Sequence, residues 1–348
     1  MKKNILIVTQ KVDIKDPILG FFHQWIIEFS KRVESVNVIC LEKGEYSLPK
    51  NVKVFSLGKE GRISKIKYIL NFYKYIWKLR KSYDSVFVHM NQEYVLLGGI
   101  FWNIFGKKIL MWRNHPEGNP LTRVAILLSN RVFCTSKDSF TNRFKKTRIM
   151  PVGIQIKDYS VNIHRKENTI LSLGRISPVK NIETIISAFL KIVKSNKKVK
   201  LSIVGSPTKR ETDEDYYKVL KTLSVAISKE SIDYIPSVPP NKTPEFFKSY
   251  DIFINATTPG SFDKTILESM YFGAPCFVCQ NIWHGTDFSY LSKYFYFIFK
   301  DPDSLSEKVL DFISLPEEQK DQLRKDCSSF VSEYHGLDSL IRKITLEI

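Results

Sequence analysis

Apolar residues in the first half of the chain fall into short continuous runs separated by longer stretches with helical periodicity. Runs such as NILIVT (4–9) and SVFVHM (85–90) are typical of buried strands, whereas FFHQWIIEFSKRV (21–33) places its large apolar residues on one side of a helix. Because strands that alternate with helices form parallel sheets covered on both faces, this half predicts a doubly wound α/β domain.

The pattern lapses into a polar connection around 149–170 and then starts again. For 348 residues we therefore expect two Rossmann-like doubly wound domains, 1–155 and 156–330. They are expected to face a cleft, with ligand sites at the carboxyl ends of their strands. The closing segment, 331–348, is predicted to be helical, with a break at His335–Gly336.

The positive charge is concentrated in the first half of the chain. Residues 1–153 hold 27 basic and 11 acidic residues, whereas residues 154–348 hold 26 and 25. An excess of this size on one domain indicates a polyanionic partner, either a nucleic acid or an anionic membrane surface. No RRM, KH or helix-turn-helix pattern is present and the second half is neutral, so we expect no nucleic acid.

The cysteines and the apolar stretches bear on the compartment. The cysteines are odd in number and scattered, and no signal-peptide pattern precedes them, which favours a reducing cytoplasm. The longest apolar stretch, YVLLGGIFWNIFG (94–106), is interrupted by glycines and is shorter than the ~20 residues that a membrane-spanning helix needs.

A basic segment with interleaved aromatic residues lies between Arg62 and Tyr83. A basic amphipathic helix of this kind suits docking on an anionic bilayer, which would make the protein a peripheral protein of the inner face of the cell membrane. A solvated helix face in a lysine-rich protein is the alternative, and the sequence leaves both open.

Two loops of the second half carry groups suited to a nucleotide. In LGRISPVKN (173–181), Gly174 closes a strand, the cations Arg175 and Lys180 flank the loop, and Asn181 is placed to cap the next helix. Cations beside a helix N-terminus can hold a diphosphate, although such charges are often only solvated. Val238 lies where main-chain groups at a strand end could read a base edge.

The third loop, TTPGSFDKTILES (257–269), follows an apolar run. If Asp263 or Ser261 caps a helix that begins near Lys264, Glu268 lies about one turn inside it. A carboxylate there can accept both ribose hydroxyls. The apolar residues around Glu268 argue against a plain surface charge.

These segments in this order, GRISPVKN, VPPNKTPEFFKSYDIFINAT and PGSFDKTILESMYFGAPCFV, resemble the donor half of the retaining nucleotide-sugar glycosyltransferases of family 4 over most of 165–285. The first half is similar more loosely, through PILGFFHQW, ILMWRNH and related segments. The resemblance implies the two-domain GT-B fold, a UDP-sugar donor because UDP is common in the family, and a tail that packs back on the first domain. The expected function is sugar transfer to a glycan or lipid-linked saccharide in cell-surface polysaccharide or glycolipid assembly.

The resemblance also implies roles for single residues. Arg175 and Lys180 would hold the diphosphate, Gly20 would offer its backbone NH to it, and His115 would face the reacting sugar. The catalytic set would be His115, Arg175 and Lys180. Independently of the resemblance, the position of His89 and Asn91 at a comparable strand end of the first half predicts that they line the acceptor site. The residues that would bind the nucleotide sugar are Gly20, Gly174, Arg175, Lys180, Val238, Gly260, Ser261, Phe262, Asp263, Thr265, Ile266 and Glu268.

One departure from the family concerns the sugar. The family places a second glutamate eight positions before the ribose glutamate, where this chain has Gly260. The backbone around it, or Asp263 as a displaced carboxylate, would have to reach the sugar. Arg175 and Lys180 would stabilise the leaving diphosphate without a metal, so neither a metal nor a cofactor is expected. A non-catalytic sugar- or nucleotide-binding relative is the first alternative function, and a nucleic-acid-binding protein, suggested by the positive charge alone, is the second.

Overall fold

Two parallel sheets organise the chain, one in each of two units. The structure is a computed structural model. It describes residues 3–16, 18–137, 139–155, 164–225, 231–239, 242–259 and 263–348. One unit comprises Met1–Gln155 with Gly336–Ile348, and the other comprises Ile156–His335. The end of the chain thus joins the first unit from Gly336 on.

The first unit has a seven-stranded sheet in the order β3-β2-β1-β4-β5-β6-β7, with every neighbouring pair parallel. Its strands are β1 (Asn4–Val12), β2 (Ser35–Lys43), β3 (Val52–Ser56), β4 (Ser85–His89), β5 (Lys108–Trp112), β6 (Arg131–Cys134) and β7 (Thr147–Ile149). Its helices are α1 (Phe22–Arg32), α2 (Lys65–Leu79), α3 (Glu93–Ile104), α4 (Pro120–Leu128) and the last helix of the chain, α12 (Leu337–Leu346).

Helices cover both faces of this sheet. The buried side chains of α1 and α12 share one apolar cluster with one face of the strands, and those of α2, α3 and α4 share a second cluster with the other face. The strand runs and α1 were predicted from their apolar pattern, and the break between α11 and α12 at Gly336 is also confirmed. The helix α3 was not predicted, because it is apolar on nearly every side and contains Gly98 and Gly99.

The second unit has a five-stranded parallel sheet in the order β10-β9-β8-β11-β12. Its strands are β8 (Lys166–Leu173), β9 (Lys200–Val204), β10 (Ile232–Ile235), β11 (Tyr250–Asn255) and β12 (Cys276–Val278). Its helices are α5 (Ile182–Ser195), α6 (Glu211–Val225), α7 (Thr243–Ser249), α8 (Lys264–Tyr271), α9 (Ser292–Phe295), α10 (Pro302–Ser314) and α11 (Glu317–His335).

The strand order reverses direction once in each sheet, between β1 and β4 in the first and between β8 and β11 in the second. In open α/β sheets, ligands bind outside the carboxyl ends of the strands at such a switch point. The loops that leave β8 and β11 are therefore the first place to look for a site in the second unit. Among the described residues, no helix combines the length and the apolar character needed to cross a bilayer.

Candidate functional site

A cavity opens at the switch point of the second sheet, where the loops after β8 and β11 meet. Its lining includes Gly174, Arg175 and Lys180 from the first loop and Asn255 and Thr257 from the second. The three residues of the β8 loop that the sequence predicted to bind the nucleotide sugar thus line one cavity with polar groups from the end of β11.

Two glycines shape the loop after β8. Gly174 has a φ of +151°, and its NH donates to the carbonyl oxygen of Val204 at 3.0 Å. Gly205, which follows β9, has a φ of +154°, and a Cβ at this position would lie 1.9 Å from the carbonyl oxygen of Gly174. Only glycine fits there, so Gly205 lets the adjacent loop close in. Sequence reasoning missed Gly205, although a glycine directly after a strand was the available signal.

Lys180 lies within an ion pair. Its ammonium contacts the Oδ2 atom of Asp263, and its Nζ lies 3.4 Å from the hydroxyl of Thr257. The side-chain amide of Asn255 also donates to Oδ2 of Asp263, at 2.9 Å. Burial would raise the pKa of Asp263, but the charge of Lys180 and these hydrogen bonds hold that pKa below its usual value. The carboxylate of Asp263 therefore stays ionised at neutral pH.

The predicted start of α8 is confirmed. Asp263 is the N-cap residue of a helix that begins at Lys264, and its Oδ1 accepts from the NH of Thr265 at 3.1 Å. Ile266 is fully buried, so its side chain packs in the core rather than facing a ligand. Asn255, which holds both Asp263 and the Thr265 hydroxyl, is a residue that sequence reasoning missed.

Glu268 lies about one turn inside α8 and is partly buried, with Lys264 at 3.5 Å from its Oε1. Burial raises the pKa of Glu268, the charge of Lys264 partly offsets this, and the nearby charge of Asp263 adds to the increase. The carboxylate is therefore less strongly ionised than a surface glutamate, and its environment differs from that of a solvated helix charge.

Asn181 does not cap α5 with its side chain, contrary to the sequence prediction. The residue occupies the N-cap position in the left-handed conformation, with a φ of +45°. Its amide donates instead to the carbonyl oxygen of Ala256 at 3.2 Å and to the hydroxyl of Thr258 at 3.1 Å. The hydroxyl of Tyr216, from α6, accepts the NH of Ile182 at 2.7 Å and supplies the cap. Asn181 thus ties the two site loops together.

The other residues of the second unit that were predicted to bind the nucleotide sugar differ in exposure. Arg175 is exposed at the cavity. Val238 is partly buried, three residues beyond the end of β10. Gly260, Ser261 and Phe262 lie outside the described residues.

The switch point of the first unit holds Gly20, His89 and Asn91 around the ends of β1 and β4. The NH of Gly20 donates to the carbonyl oxygen of Asp16 at 3.0 Å. That amide was predicted to bind phosphate, and in this structure it is already engaged, so the contact would require this hydrogen bond to open. A Cβ at Gly20 would lie 2.5 Å from the same oxygen, which is the structural reason for glycine here.

His89 is enclosed rather than open, unlike the cleft-lining residue that the sequence suggested. Its ring stacks on Phe22 with centroids 3.9 Å apart, and its Nδ1 lies 3.2 Å from the hydroxyl of Thr9. Complete burial lowers the pKa of His89 to about 3, so the ring is neutral. Asn91 is more accessible and donates to the side chain of Gln10 at 3.3 Å. Their assignment to an acceptor site stays a prediction.

His115 lies in the loop after β5, three residues beyond its last residue, and is exposed. Its Nδ1 lies 3.0 Å from the backbone nitrogen of Glu117 and 3.1 Å from the carbonyl oxygen of the same residue. The ring is thus oriented by its own loop through Nδ1. Its role toward a reacting sugar stays a prediction.

Residues 154–328, half of the chain, match the family described as glycosyl transferases group 1. The protein therefore belongs to this family. The matched half is the unit that holds the β8/β11 cavity.

Among curated proteins, the chain is similar to an alpha-monoglucosyldiacylglycerol synthase of Streptococcus pneumoniae, with 26% identity over 206 residues, covering 54% of this chain and 45% of the relative. It is also similar to spore coat protein SA of Bacillus subtilis, with 22% identity over 216 residues, covering 56% of each. The chain thus matches about half the length of these curated relatives.

Among solved structures, Anabaena Alr3699/HepE in complex with UDP-glucose aligns over 99% of both chains with a TM-score of 0.70 and 17% identity. At this identity the likeness shows the fold. The predicted architecture of two Rossmann-like, doubly wound domains of the GT-B type is confirmed.

Proposed function

We propose that the protein is a retaining glycosyltransferase that moves a sugar from a UDP-linked donor to a glycan or lipid-linked saccharide. The observation that carries the proposal is the cavity at the β8/β11 switch point. It brings the cations Arg175 and Lys180 to one end of the sheet, and Glu268 lies one turn inside the helix that follows the β11 loop. This combination suits a diphosphate joined to a ribose, and it lies in the half that matches the family.

The chemistry needs charge stabilisation more than acid–base catalysis. As the bond from the sugar to the diphosphate breaks, negative charge grows on the leaving phosphate, and preorganised cations stabilise it. An ammonium has three donors, so Lys180 can hold a phosphate oxygen while keeping Asp263. Arg175 offers a planar fork to the same group. We expect the acceptor hydroxyl to attack from the face that the diphosphate leaves, and we expect no metal to be needed.

The relatives support the choice of donor and acceptor. The HepE structure contains UDP-glucose, which supports a UDP-sugar donor. The synthase from S. pneumoniae is named for a glucosylated diacylglycerol, which supports an acceptor carried by a lipid. We infer a role in cell-surface polysaccharide or glycolipid assembly at the inner face of the cell membrane. All five cysteines are unpaired and buried, in keeping with a reducing compartment.

The test is transfer from a panel of UDP-, GDP- and ADP-sugars to lipid-linked and soluble saccharides, with nucleotide release measured in parallel. We expect one UDP-sugar to be used, and NMR of the product to show the anomeric configuration of the donor. Arg175→Ala should reduce turnover by about 10² or more, as for the loss of one donor to a developing anion. Lys325→Ala, which removes an exposed cation on α11 of the same unit, should leave turnover unchanged.

A non-catalytic nucleotide- or sugar-binding protein is the second candidate, favoured by Gly260 at the position where the family has an acid. Binding of UDP or a UDP-sugar, measured by calorimetry, without release of UDP or transfer of the sugar to any acceptor would support this candidate. Turnover that is equal in wild type and Arg175→Ala would contradict the proposed enzyme.

A further inference from the structure

The helix α2 has two apolar faces, although only one of them is needed for the core. Phe72, Ile76 and Leu79 are buried against the sheet. On another side of the same helix, Ile66, Leu70, Tyr73 and Trp77 recur at spacings of four, three and four residues, and Ile66 is 70% and Trp77 55% exposed. A helix of a water-exposed domain usually presents polar residues on this side. An exposed apolar face of this kind indicates an interaction surface.

The neighbouring helices extend this apolar face. On α3, Ile100 and Ile104 are exposed one turn apart, with Ile104 at 75%. On α4, Leu121, Val124 and Leu127 are exposed at helical spacing, with Leu127 at 73%. Each helix also buries other residues in the same core cluster, so their exposed faces point away from the sheet on one side of the unit.

Direct contacts join the three helices into one surface. The hydroxyl of Tyr73 donates to the carbonyl oxygen of Leu97 at 2.9 Å, and the Trp77 ring lies 5.9 Å from that of Phe105 at the end of α3. The side-chain amide of Asn103 in α3 donates to the carbonyl oxygen of Leu128 at 3.1 Å. We call the exposed apolar faces of α2, α3 and α4 together the three-helix surface.

The same surface is basic at its α2 side. No acidic residue lies between Glu60 and Asp84, and Lys74 and Lys78 are exposed beside Tyr73 and Trp77. The guanidinium of Arg80 stacks 4.2 Å from the centroid of the Trp77 ring. Cations interleaved with Trp and Tyr on an amphipathic helix suit the boundary between water and the lipid headgroups.

We propose that the three-helix surface docks on an anionic lipid bilayer. The apolar side chains of α2, α3 and α4 enter the boundary between headgroups and acyl chains, while the lysines of α2 lie among anionic headgroups. The surface is inferred from the first unit alone. Only its purpose, which is to bring the enzyme to a lipid-linked acceptor, rests on the proposed function.

A second copy of the chain is a poorer occupant of this surface. A twofold interface through this surface would enclose the lysine-rich α2 side of both copies, and like charges in one interface repel. An anionic bilayer instead matches both the apolar area and the positive charge.

The experiment is flotation of the full chain with vesicles of phosphatidylcholine, with or without phosphatidylglycerol. The wild type should float with the anionic vesicles, and high salt should weaken its binding. The variant Leu70→Ser/Ile104→Ser/Leu127→Ser changes one exposed residue on each helix and should reduce the partition coefficient at least about tenfold. Lys74→Gln/Lys78→Gln should reduce it by about fivefold for each lysine at low salt.

The matched control is Val219→Ser/Ile298→Ser/Leu346→Ser, which changes three equally exposed apolar residues elsewhere and should float like the wild type. Circular dichroism checks that all variants are folded. Failure of the wild type to float, or equal flotation of the three-helix variant, would overturn the docking proposal. So would a wild-type dimer that the three-helix variant dissociates, since the surface would then bind a second copy.

Sugar transfer to a soluble saccharide, measured without vesicles, separates the two proposals. The three-helix variant should keep wild-type turnover in this assay while losing transfer to a lipid-linked acceptor in vesicles. If the wild type floats but uses no nucleotide sugar, the proposed function fails and the docking surface stands.

Discussion

Lys180 and Asp263 form an ion pair between the loops that follow β8 and β11. The cation proposed for the diphosphate is therefore held in place before any donor arrives, by the residue that also caps α8. Because Asp263 already accepts from Lys180, Asn255 and Thr265, less of its carboxylate is left for a sugar hydroxyl than its sequence position suggests.

Lys180→Ala is expected to affect stability as well as turnover. It removes a phosphate donor, and it also leaves the largely buried carboxylate of Asp263 without its cation. We expect the free energy of unfolding to fall by about 2 kcal/mol, less than for a fully buried pair, because the pair is partly accessible and Asp263 keeps other hydrogen bonds. Urea denaturation at neutral pH measures this loss.

The double variant Lys180→Ala/Asp263→Asn is the control, because it removes the unpaired charge. It should recover most of the lost stability and none of the turnover. The folded-state pKa of Asp263 is lowered, so the stability from this carboxylate is present above its unfolded pKa and is lost as pH falls through its folded pKa. Asp263→Asn should therefore reduce the loss of stability at acidic pH. An unchanged dependence of stability on pH would contradict the pairing.

Glu268 should make donor binding depend on pH. Its pKa is raised, chiefly by burial, and the ionised form is the one that accepts ribose hydroxyls. Affinity for UDP-glucose should therefore be full above this raised pKa and decrease as pH falls through it. Glu268→Gln should weaken binding at neutral pH by about 1.5 kcal/mol, roughly tenfold, and remove this pH dependence. Calorimetry with UDP-glucose avoids the titration of a terminal phosphate.

Glu268→Gln should weaken donor binding but increase the stability of the fold. A carboxyl group whose folded-state pKa is raised binds its proton more readily in the folded state, so it destabilises the fold at neutral pH. Glu268→Gln should raise the midpoint of thermal unfolding while weakening the binding of donor. A decrease in both the unfolding midpoint and donor affinity would mean that Glu268 stabilises the fold rather than binding the ligand.

Much of this arrangement follows from local sequence. Alternating strand and helix patterns predicted both doubly wound units, and the Asp263 cap fixed the start of α8. Contacts between distant segments could not be predicted in the same way. Tyr216 caps α5 from another helix, and Asn181 instead holds the loop after β11. The exposed face of α3 was also unpredicted, because an all-apolar helix shows no periodicity that separates its buried and exposed sides.

Gly205 and Gly174 differ in what a side chain would meet, although both have positive φ. At Gly205 a Cβ would lie 1.9 Å from the carbonyl oxygen of Gly174, whereas at Gly174 the nearest atom is Cε of Lys180 at 3.9 Å. Gly174→Ala should therefore cost only backbone strain, on the order of 1–2 kcal/mol. Gly205→Ala should cost distinctly more, because the loop must move, and should also weaken UDP binding. Urea denaturation of the two variants provides the comparison, and equal losses would contradict the close approach.

His89 should make the first unit sensitive to acid without taking part in catalysis as an acid or base. Burial lowers its pKa to about 3, whereas the unfolded chain has an ordinary histidine near 6.5. The unfolded state therefore binds the additional proton between these values, so stability is full above about pH 6.5 and falls as pH decreases towards 3. At pH 5 the loss from this one group is about 2 kcal/mol relative to pH 7.5.

His89→Gln keeps a polar partner for Thr9 and removes the titration. The wild type should lose stability relative to this variant when urea denaturation is repeated from pH 7.5 to 5. Burial also lowers the pKa of His23. Subtracting the unfolding free energies of the variant from those of the wild type therefore isolates the contribution of His89. His284→Gln, at an exposed position, should follow the wild type throughout. The turnover of His89→Gln, measured from pH 6 to 8, should follow the wild-type pH profile. An ionisation in that range that the wild type shows and His89→Gln lacks would mean that His89 is not the neutral, enclosed ring that the stacking on Phe22 indicates.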